Sequence, residues 1–255
     1  MHRMDQSAKA KKFTRLHVKG SPLILYNAWD AGSAKAIVQA GAKVIATSSW
    51  AVADAQGYDD GEKIPKTQVE EIVAGIVEAV PVPVTVDFEG GYSDDDSELT
   101  KNVAKLLHVG VIGINFEDRI VQGTGLYETD RQAKRIAAIR KAAQGKAVDL
   151  FINARTDLFL GSKGDPAKYV DEAIERAKAY ADAGASGFFI PGLLKEPLIE
   201  HIVENVTLPV NVMYMVGAPS NARLAKLGVS RVSYGAEPYA RAMEAVAKDA
   251  TRVLS

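Results

Sequence analysis

The sequence contains no cysteine, which excludes disulfide bonds, thiolate nucleophiles and cysteine-ligated zinc. It also lacks any apolar stretch of the ~18 residues that a membrane-spanning helix requires. The formal net charge is only −1, so no overall field attracts nucleic acid or an anionic membrane. We therefore expect neither of these partners, and a cytoplasmic location follows by default.

The positions of the histidines and lysines limit the kinds of catalysis that the sequence can support. The four histidines, His2, His17, His108 and His201, fall in the amino-terminal segment or on predicted helices, so we expect no histidine base. No lysine stands at the carboxyl end of a predicted strand, which argues against a Schiff-base aldolase. Any catalysis must therefore depend on acids, arginine and hydroxyl groups.

An apolar run, a loop and a helical stretch repeat along the chain with a period of about thirty residues. The apolar runs are eight predicted strands: Leu23–Tyr26, Lys43–Thr47, Val82–Val86, Val111–Phe116, Asp149–Ala154, Ser186–Ile190, Leu208–Val212 and Arg231–Tyr234. Strict alternation of strand and helix predicts an all-parallel sheet, and eight strands are enough to close a barrel. The 255 residues suit one (β/α)8 barrel, which typically needs ~250.

A doubly wound open sheet is the structural alternative. Against it, the sequence has neither a G-x-G-x-x-G motif after the first strand nor a P-loop. We therefore predict a single-domain TIM barrel over residues 1–255, with a basic leader at about residues 1–20. The leader is expected to form a solvated helix across the floor of the barrel.

Three acids follow two neighbouring predicted strands. Asp87 and Glu89 come directly after the third strand, on the same side of it, and Glu117 comes directly after the fourth. The carboxyl ends of the strands form the catalytic face of a parallel barrel. Hard oxygen ligands suit Mg²⁺ or Mn²⁺. The sequence therefore predicts that these three acids bind one divalent metal ion.

Other strand ends supply groups that can bind an anionic substrate. Arg155 ends the fifth strand, where its guanidinium can grip a carboxylate through two hydrogen bonds or can simply neutralise Glu117 or Asp157. Ser48 and Ser49 end the second strand and can hold an anionic oxygen.

Two aromatic residues stand at or just beyond the end of the first strand. They are Tyr26 and Trp29, and we expect both to contact the substrate, with Trp29 as a wall of the pocket.

Two long loops follow strands on the same face. The first, Ser48–Pro65, carries several acids, and the second, Asp118–Thr129, contains Gln122-Gly123-Thr124-Gly125 followed by Tyr127. Long loops in compact domains are usually lids or binding loops, and we expect the second to close over the substrate. The acids Asp94–Asp96 precede a predicted helix and are expected only to stabilise its amino terminus.

These motifs together resemble the isocitrate lyase/phosphoenolpyruvate mutase superfamily. The resemblance covers about Leu23 to Tyr234. The segments that carry it are Tyr26–Ala34, Thr47–Ser49, Gly57–Asp60, Val86–Tyr92, Asn115–Arg119 and Asn153–Asp157.

The resemblance implies a Mg²⁺-dependent barrel that acts on 2-oxo or 2-hydroxy acids through an enolate. It implies that Asp87 is the principal metal ligand, with Glu89 and Glu117 binding directly or through water. It further matches Asp60 to an acid of the family, Ser48 and Ser49 to its carboxylate-binding segment, and Arg155 to an arginine that contacts substrate. Members usually form tetramers and exchange the last helix, which here is residues 237–253.

The chain also departs from known members. The loop after the fourth strand, Arg119–Tyr127, has neither the Lys-Lys-Cys-Gly-His segment of the lyases nor the Lys-x-Phe-Pro-Lys-x-x-Ser loop of the mutases. We predict a lyase or decarboxylase acting on a small 2-oxo or substituted malic acid, with Tyr127, Tyr92 or water protonating the enolate. Carbon–phosphorus chemistry on a phosphonate is one alternative. A non-catalytic ligand-binding barrel is another.

Overall fold

Eight short strands form one sheet, and all of them run parallel. The structure is a computed structural model that describes residues 5–160 and 164–255. The strands are β1 (Leu23–Leu25), β2 (Ile45–Ala46), β3 (Val84–Asp87), β4 (Gly113–Glu117), β5 (Phe151–Arg155), β6 (Gly187–Phe189), β7 (Val210–Met213) and β8 (Arg231–Ser233). Hydrogen bonds join them in the order β1-β8-β7-β6-β5-β4-β3-β2. Each predicted strand is present, although every one is shorter than predicted.

The barrel closes between β1 and β2 just beyond the strands themselves. Ala28 N donates to the carbonyl oxygen of Ala46 at 2.8 Å, and Ser48 N donates to that of Ala28 at 3.2 Å. These bonds flank a parallel bridge between Ala28 and Thr47. The predicted single-domain (β/α)8 barrel is therefore confirmed.

Helices surround the barrel and cover the outer face of its strands. They are α1 (Gln6–Arg15), α2 (Ala31–Gln39), α3 (Ser49–Ala55), α4 (Lys66–Ala79), α5 (Asp96–Val109), α6 (Thr129–Gly145), α7 (Val170–Asp182), α8 (Glu196–Asn205), α9 (Asn221–Lys226) and α10 (Glu237–Leu254), and a 3₁₀ turn (Pro166–Tyr169) leads into α7. No helix in the described ranges is long and apolar enough to cross a membrane.

The sequence of α5 shows why these segments are helical and where they end. Leu99, Val103, Leu106 and Leu107 recur at helical spacing, and all four are buried. The Asp95 side chain accepts from Glu98 N at the start of the helix, which confirms the predicted stabilising role of this aspartate. Gly110 stops the helix in the left-handed region, at φ 104°.

The leader helix α1 closes the amino-terminal end of the barrel. Phe13 is fully buried, with its ring centroid 5.0 Å from that of Phe151 on β5. The Gln6 side chain donates to the carbonyl oxygens of Leu107 and Val111, both at 2.8 Å. The position across the floor is as predicted, but a solvated helix was the wrong expectation, since α1 supplies part of the core. Residues 1–4 of the predicted leader lie outside the described residues.

Helix α3 lies within Ser48–Pro65, which the sequence predicts to be a loop, so that prediction is wrong for this part. The Ser48 side chain accepts from Ala51 N and so caps this seven-residue helix. The helix begins directly at the carboxyl end of β2. It therefore holds the first turn of the segment against the mouth of the barrel.

Candidate active site

The carboxyl ends of the strands surround a cavity of about 340 Å³. The described residues that line it are Asn27, Ser48, Ser49, Trp50, Asp60, Asp87, Asn115, Arg155, Leu160, Phe189, Met213, Tyr214, Met215, Val216, Ser233, Tyr234, Gly235, Ala236 and Glu237. Five of the predicted site residues are among them: Ser48, Ser49, Asp60, Asp87 and Arg155.

Asp87 ends β3 and is held in place from two sides. Its Oδ2 accepts from the hydroxyl of Ser49 at 2.8 Å and from the Ser49 backbone N–H at 3.2 Å. Its Oδ1 accepts from the Asn115 amide at 3.2 Å. Asp87 thus presents an oriented carboxylate to the cavity. The Ser49 hydroxyl was predicted to bind the substrate, but in the structure it donates its hydrogen bond to Asp87.

Beneath Asp87, the barrel interior contains a polar network. Asn115 and Asn153 stand level with Asp87 on the adjacent strands, and Asn153 donates to Asn115 Oδ1 at 2.9 Å. Arg231, fully buried on β8, donates to the same oxygen at 3.1 Å. These bonds turn the Asn115 NH₂ group toward Asp87. Burial lowers the pKa of Arg231 to about 9, and Asp87 opposes this shift.

Arg155 lies opposite Glu117 in the β4–β5 register and forms an ion pair with it, Nη1 to Oε2 at 3.0 Å. Its Nε and Nη2 donate to the two carboxylate oxygens of Asp157 at 2.6 and 2.9 Å. Burial disfavours the charge on Arg155, but Glu117 and Asp157 outweigh it and raise the pKa. The two-bond grip predicted for a substrate carboxylate is therefore made to Asp157, although Arg155 still lines the cavity.

Glu117 is almost fully buried behind Arg155 and does not line the cavity. Burial raises its pKa well above the usual value, Arg155 opposes this, and Asp157, Asp87 and Glu89 add to it. Glu117 is therefore an acid whose charge depends on Arg155 and on any cation bound nearby.

Glu89 departs from the position that the sequence predicted. The chain leaves the sheet after Asp87, so Glu89 does not continue the alternation of the strand, and its φ is 49°. Its Oε2 accepts from Glu62 N at 3.0 Å. Burial raises its pKa to about 8, with further contributions from Asp60, Asp87 and Glu62.

Four carboxylates therefore crowd one side of the mouth. Partial burial and the Asp87 charge raise the pKa of Asp60, and burial raises that of Glu62. None of Asp60, Asp87 and Glu89 forms an ion pair with a described residue, although Arg155 and Arg119 partly offset the charge around Asp60. Such a set of hard oxygen donors fits a divalent cation such as Mg²⁺.

The three predicted metal ligands do not converge within the described residues. No group of three acid or histidine side chains there is arranged to hold a metal ion. Glu117 is directed to Arg155, and Glu89 to the backbone of Glu62. The assignment of Asp87, Glu89 and Glu117 as metal ligands stays a prediction.

Besides Glu89 and Glu117, three predicted aromatic site residues do not line the cavity. The Trp29 ring packs edge-on against Tyr239, with ring centroids 5.2 Å apart. The ring centroid of Tyr26 is 5.7 Å from that of Tyr234, and Tyr26 is exposed. Tyr127 bonds to Asp94 and stacks on the buried Arg135 guanidinium, 4.3 Å from the ring centroid.

Tyr127 instead borders a separate pocket of about 180 Å³, which Glu62 and Tyr92 also line. Its pKa is raised to about 12, first by burial and then by the bond to Asp94. The structure therefore places this phenol beside the acid cluster and not in the cavity.

Sequence reasoning missed most of the uncharged lining. Trp50 takes the place expected for Trp29, because α3 directs it into the cavity. Met213 and Ser233 are the last residues of β7 and β8, and Tyr214, Met215, Tyr234 and Gly235 follow them at the strand ends, where the same rule applies. The signal was present in the sequence, but these residues carry no charge and so were not singled out.

Comparisons with known proteins agree with this geometry. The family model described as phosphoenolpyruvate phosphomutase matches residues 13–254. A crystal structure from Burkholderia cenocepacia J2315, provisionally described as a phosphonomutase, has 43% sequence identity and a TM-score of 0.93, and covers 95% of this chain and 99% of its own.

Two curated relatives are more distant. An uncharacterised protein of Mycobacterium tuberculosis H37Rv is 34% identical over 94% of this chain and 88% of its own length. An oxaloacetate decarboxylase from Rhodopseudomonas palustris BisA53 is 32% identical over 74% of this chain and 65% of its own length.

Proposed function

The chain belongs to the phosphoenolpyruvate phosphomutase family, and we propose that it is a magnesium-dependent lyase or decarboxylase. Its proposed substrates are small 2-oxo or 2-hydroxy acids in which a carbon–carbon bond breaks to give an enolate. The relative named oxaloacetate decarboxylase supports a small organic acid as the substrate class.

One observation carries the proposal. The oriented carboxylate of Asp87 and the guanidinium of Arg155 line the same cavity at the catalytic end of the barrel, beside Asp60 and Glu89, which form no ion pair with a described residue. A scaffold that only bound ligands would gain nothing from crowding these carboxylates, because each raises the free energy of ionising the next. A cation and an anionic substrate together would balance them.

In the proposed mechanism, Asp87 would hold Mg²⁺, and Glu89 and Glu117 would bind it directly or through water. When bound, the metal would draw charge from the substrate's oxo and carboxylate oxygens. In well-studied enzymes, removing a single donor that stabilises such charge raises the activation free energy by roughly 2.7–4 kcal/mol.

The protein groups divide the remaining tasks. Ser49 and Asn115 keep Asp87 in its orientation. Ser48 and Arg155 face the substrate carboxylate. Asp60 is the proposed proton carrier, because it lines the cavity and its pKa is raised.

Calorimetric titration with Mg²⁺ and with oxalate, an enolate mimic, tests the site. Binding of Mg²⁺ is expected in the wild type and absent in Asp87→Ala. The matched control is Asp182→Ala, which removes an exposed acid at the end of α7 and should bind normally. Equal binding in Asp87→Ala would contradict the assignment. A screen of 2-oxo and substituted malic acids for Mg²⁺-dependent pyruvate release then tests the reaction.

Carbon–phosphorus chemistry is the second candidate. The description of the family model and that of the Burkholderia protein favour it. Phosphate release from phosphonopyruvate, or its conversion to phosphoenolpyruvate, would identify this activity in place of the lyase.

A further inference from the structure

The turn after β3, residues 88–93, carries Glu89 and has an unusual backbone. Two of its residues other than glycine lie in the left-handed region, with φ of 49° at Glu89 and 60° at Tyr92, and Gly91 has a φ of 83°. Residues with side chains occupy this region rarely, and they stay there only where the surrounding structure holds them. The direction of the Glu89 side chain therefore depends on the contacts that hold this turn.

A buried arginine of α6 holds the turn through its carbonyl groups. The Nη2 of Arg135 donates to the carbonyl oxygen of Gly90 at 2.6 Å and to that of Ser93 at 2.9 Å. Its Nη1 donates to the Gln132 side chain at 2.9 Å, which in turn donates to the carbonyl oxygen of Glu117 at 2.9 Å. Arg135 thus ties the turn after β3 to the end of β4.

The surroundings of Arg135 fix its guanidinium but offer it no carboxylate partner. The guanidinium carbon lies 4.7 Å from the ring centroid of Phe116 and 4.3 Å from that of Tyr127. Arg135 forms no ion pair with a described residue, and a buried charge without such a partner is costly. Packing of the core alone is therefore a weak reason for an arginine at this position.

Resting on the proposed function, in which Glu89 contributes to the Mg²⁺ site, we propose that Arg135 is a positioning residue for that site. It acts through the backbone of the turn, since it does not line the cavity itself. By holding the turn, it keeps the Glu89 carboxylate beside Asp60 and Asp87, close enough for their charges to raise the pKa of Glu89.

Calorimetric titration with Mg²⁺ in the presence of oxalate tests the proposal. Arg135→Met keeps an unbranched side chain and removes the donors, and it should weaken Mg²⁺ binding by about 10- to 100-fold, as loss of a group that orients a metal ligand usually does. The matched control is Arg140→Met on the same helix. Arg140 donates to the carbonyl oxygen of Gly184 at 2.9 Å, before β6 at the opposite end of the barrel, so its loss should leave Mg²⁺ binding unchanged.

A double-mutant cycle separates positioning from a general loss of structure. If Arg135 acts through Glu89, Arg135→Met should weaken Mg²⁺ binding by less than about threefold in the Glu89→Gln background. An equal loss in both backgrounds would overturn the proposal. A lowered melting temperature of Arg135→Met with unchanged Mg²⁺ affinity would overturn it too.

Amide hydrogen exchange measured by NMR gives a readout that needs no metal. The Glu117 N–H donates to the Glu89 carbonyl at 3.0 Å, so its exchange reports on the turn. Arg135→Lys keeps the charge without the planar fork and replaces Arg135→Met should that variant fail to fold. In either variant the Glu117 amide should exchange faster, whereas that of Thr156, bonded to the Phe189 carbonyl, should not change. Unchanged exchange at Glu117 would refute the role.

The outcomes distinguish this proposal from the proposed function. If Asp87→Ala abolishes Mg²⁺ binding while Glu89→Gln and Arg135→Met bind Mg²⁺ like the wild type, the proposed function stands and the positioning role is refuted. If the wild type binds no Mg²⁺, the proposed function fails and the positioning role fails with it.

Discussion

At the scale of single residues, the position of Arg155 allows it both to balance buried carboxylates and to contact a substrate. It balances Glu117 and Asp157, and it also lines the cavity. A buried arginine with two carboxylate partners is expensive to remove, because each partner would be left as an unpaired buried charge. A variant without this charge would therefore lose stability and activity together, and the two effects could not be separated. A substitution that preserves the charge is more informative.

Arg155→Lys keeps the charge but cannot reproduce the planar fork. If Arg155 also contacts substrate, kcat/KM should fall at least tenfold, about 1.4 kcal/mol in transition-state terms, while the melting temperature changes little. Arg176→Lys is the matched control, since Arg176 is also largely buried, pairs with Asp118 at 3.3 Å and lies outside the cavity. Full activity of Arg155→Lys would limit this arginine to charge balance.

At the scale of elements, the junction between α1 and β5 should respond to pH. His17, just beyond α1, stacks on Phe151 with ring centroids 4.1 Å apart, and its Nδ1 lies 3.0 Å from the carbonyl oxygen of Phe13. Burial lowers its pKa from 6.5 to about 3, Arg231 adds to the shift, and the contact with Phe13 opposes it.

Between these two pKa values the unfolded chain binds a proton at His17 that the folded chain does not. The free energy of unfolding should therefore fall as the pH drops below 6.5, by roughly 1–2 kcal/mol at pH 5. Urea titrations from pH 7 to 5 should show a smaller fall for His17→Gln than for the wild type. The exposed His108→Gln serves as control, and the same fall in all three proteins would contradict the assignment.

The loop after β4 is the other element with a predicted response. It turns tightly, because Gly123 N donates to the Ile120 carbonyl and Ile120 N to that of Gly125, both at 3.0 Å, and its tip is exposed. We predict that the loop closes over the substrate as a unit and excludes water from the enolate.

Protease cleavage near Gly123 should then slow when oxalate and Mg²⁺ are added together. Oxalate without Mg²⁺, and both ligands with Asp87→Ala, should give no protection. Equal cleavage of the wild type with and without the ligands would count against closure.

The elements also show how far sequence reasoning reached. Apolar runs located all eight strands, because buried parallel strands need them, and Asp87 and Arg155 were found as the charged residues that end such runs. Glu89 was misplaced because alternation holds only inside a strand, and the chain leaves the sheet after Asp87. Trp50 was missed because a helix within a predicted loop decides where it points. The positions of Glu89 and Trp50 both depend on where the neighbouring strand or helix ends, which the local sequence alone does not determine.

At the scale of the whole molecule, α10 is a long helix that buries little of its length. Only Pro238 and Tyr239 of its 18 residues are buried. Four apolar side chains at helical spacing are exposed along it: Met243, Val246, Val253 and Leu254. An exposed apolar stripe on an amphipathic helix is typical of a surface that packs against another chain. The exchange of this helix between subunits stays a prediction of the family resemblance.

Charges placed in the stripe should therefore dissociate the oligomer. The wild type is expected to have a mass of a dimer or tetramer by light scattering after size exclusion. Val246→Glu should shift it toward the 27.3 kDa of one chain, because a carboxylate would have to be buried without a partner. Lys248→Glu, an exposed residue on another face of the same helix, should leave the mass unchanged. A monomeric wild type, or an unaltered mass in Val246→Glu, would exclude α10 as the subunit contact.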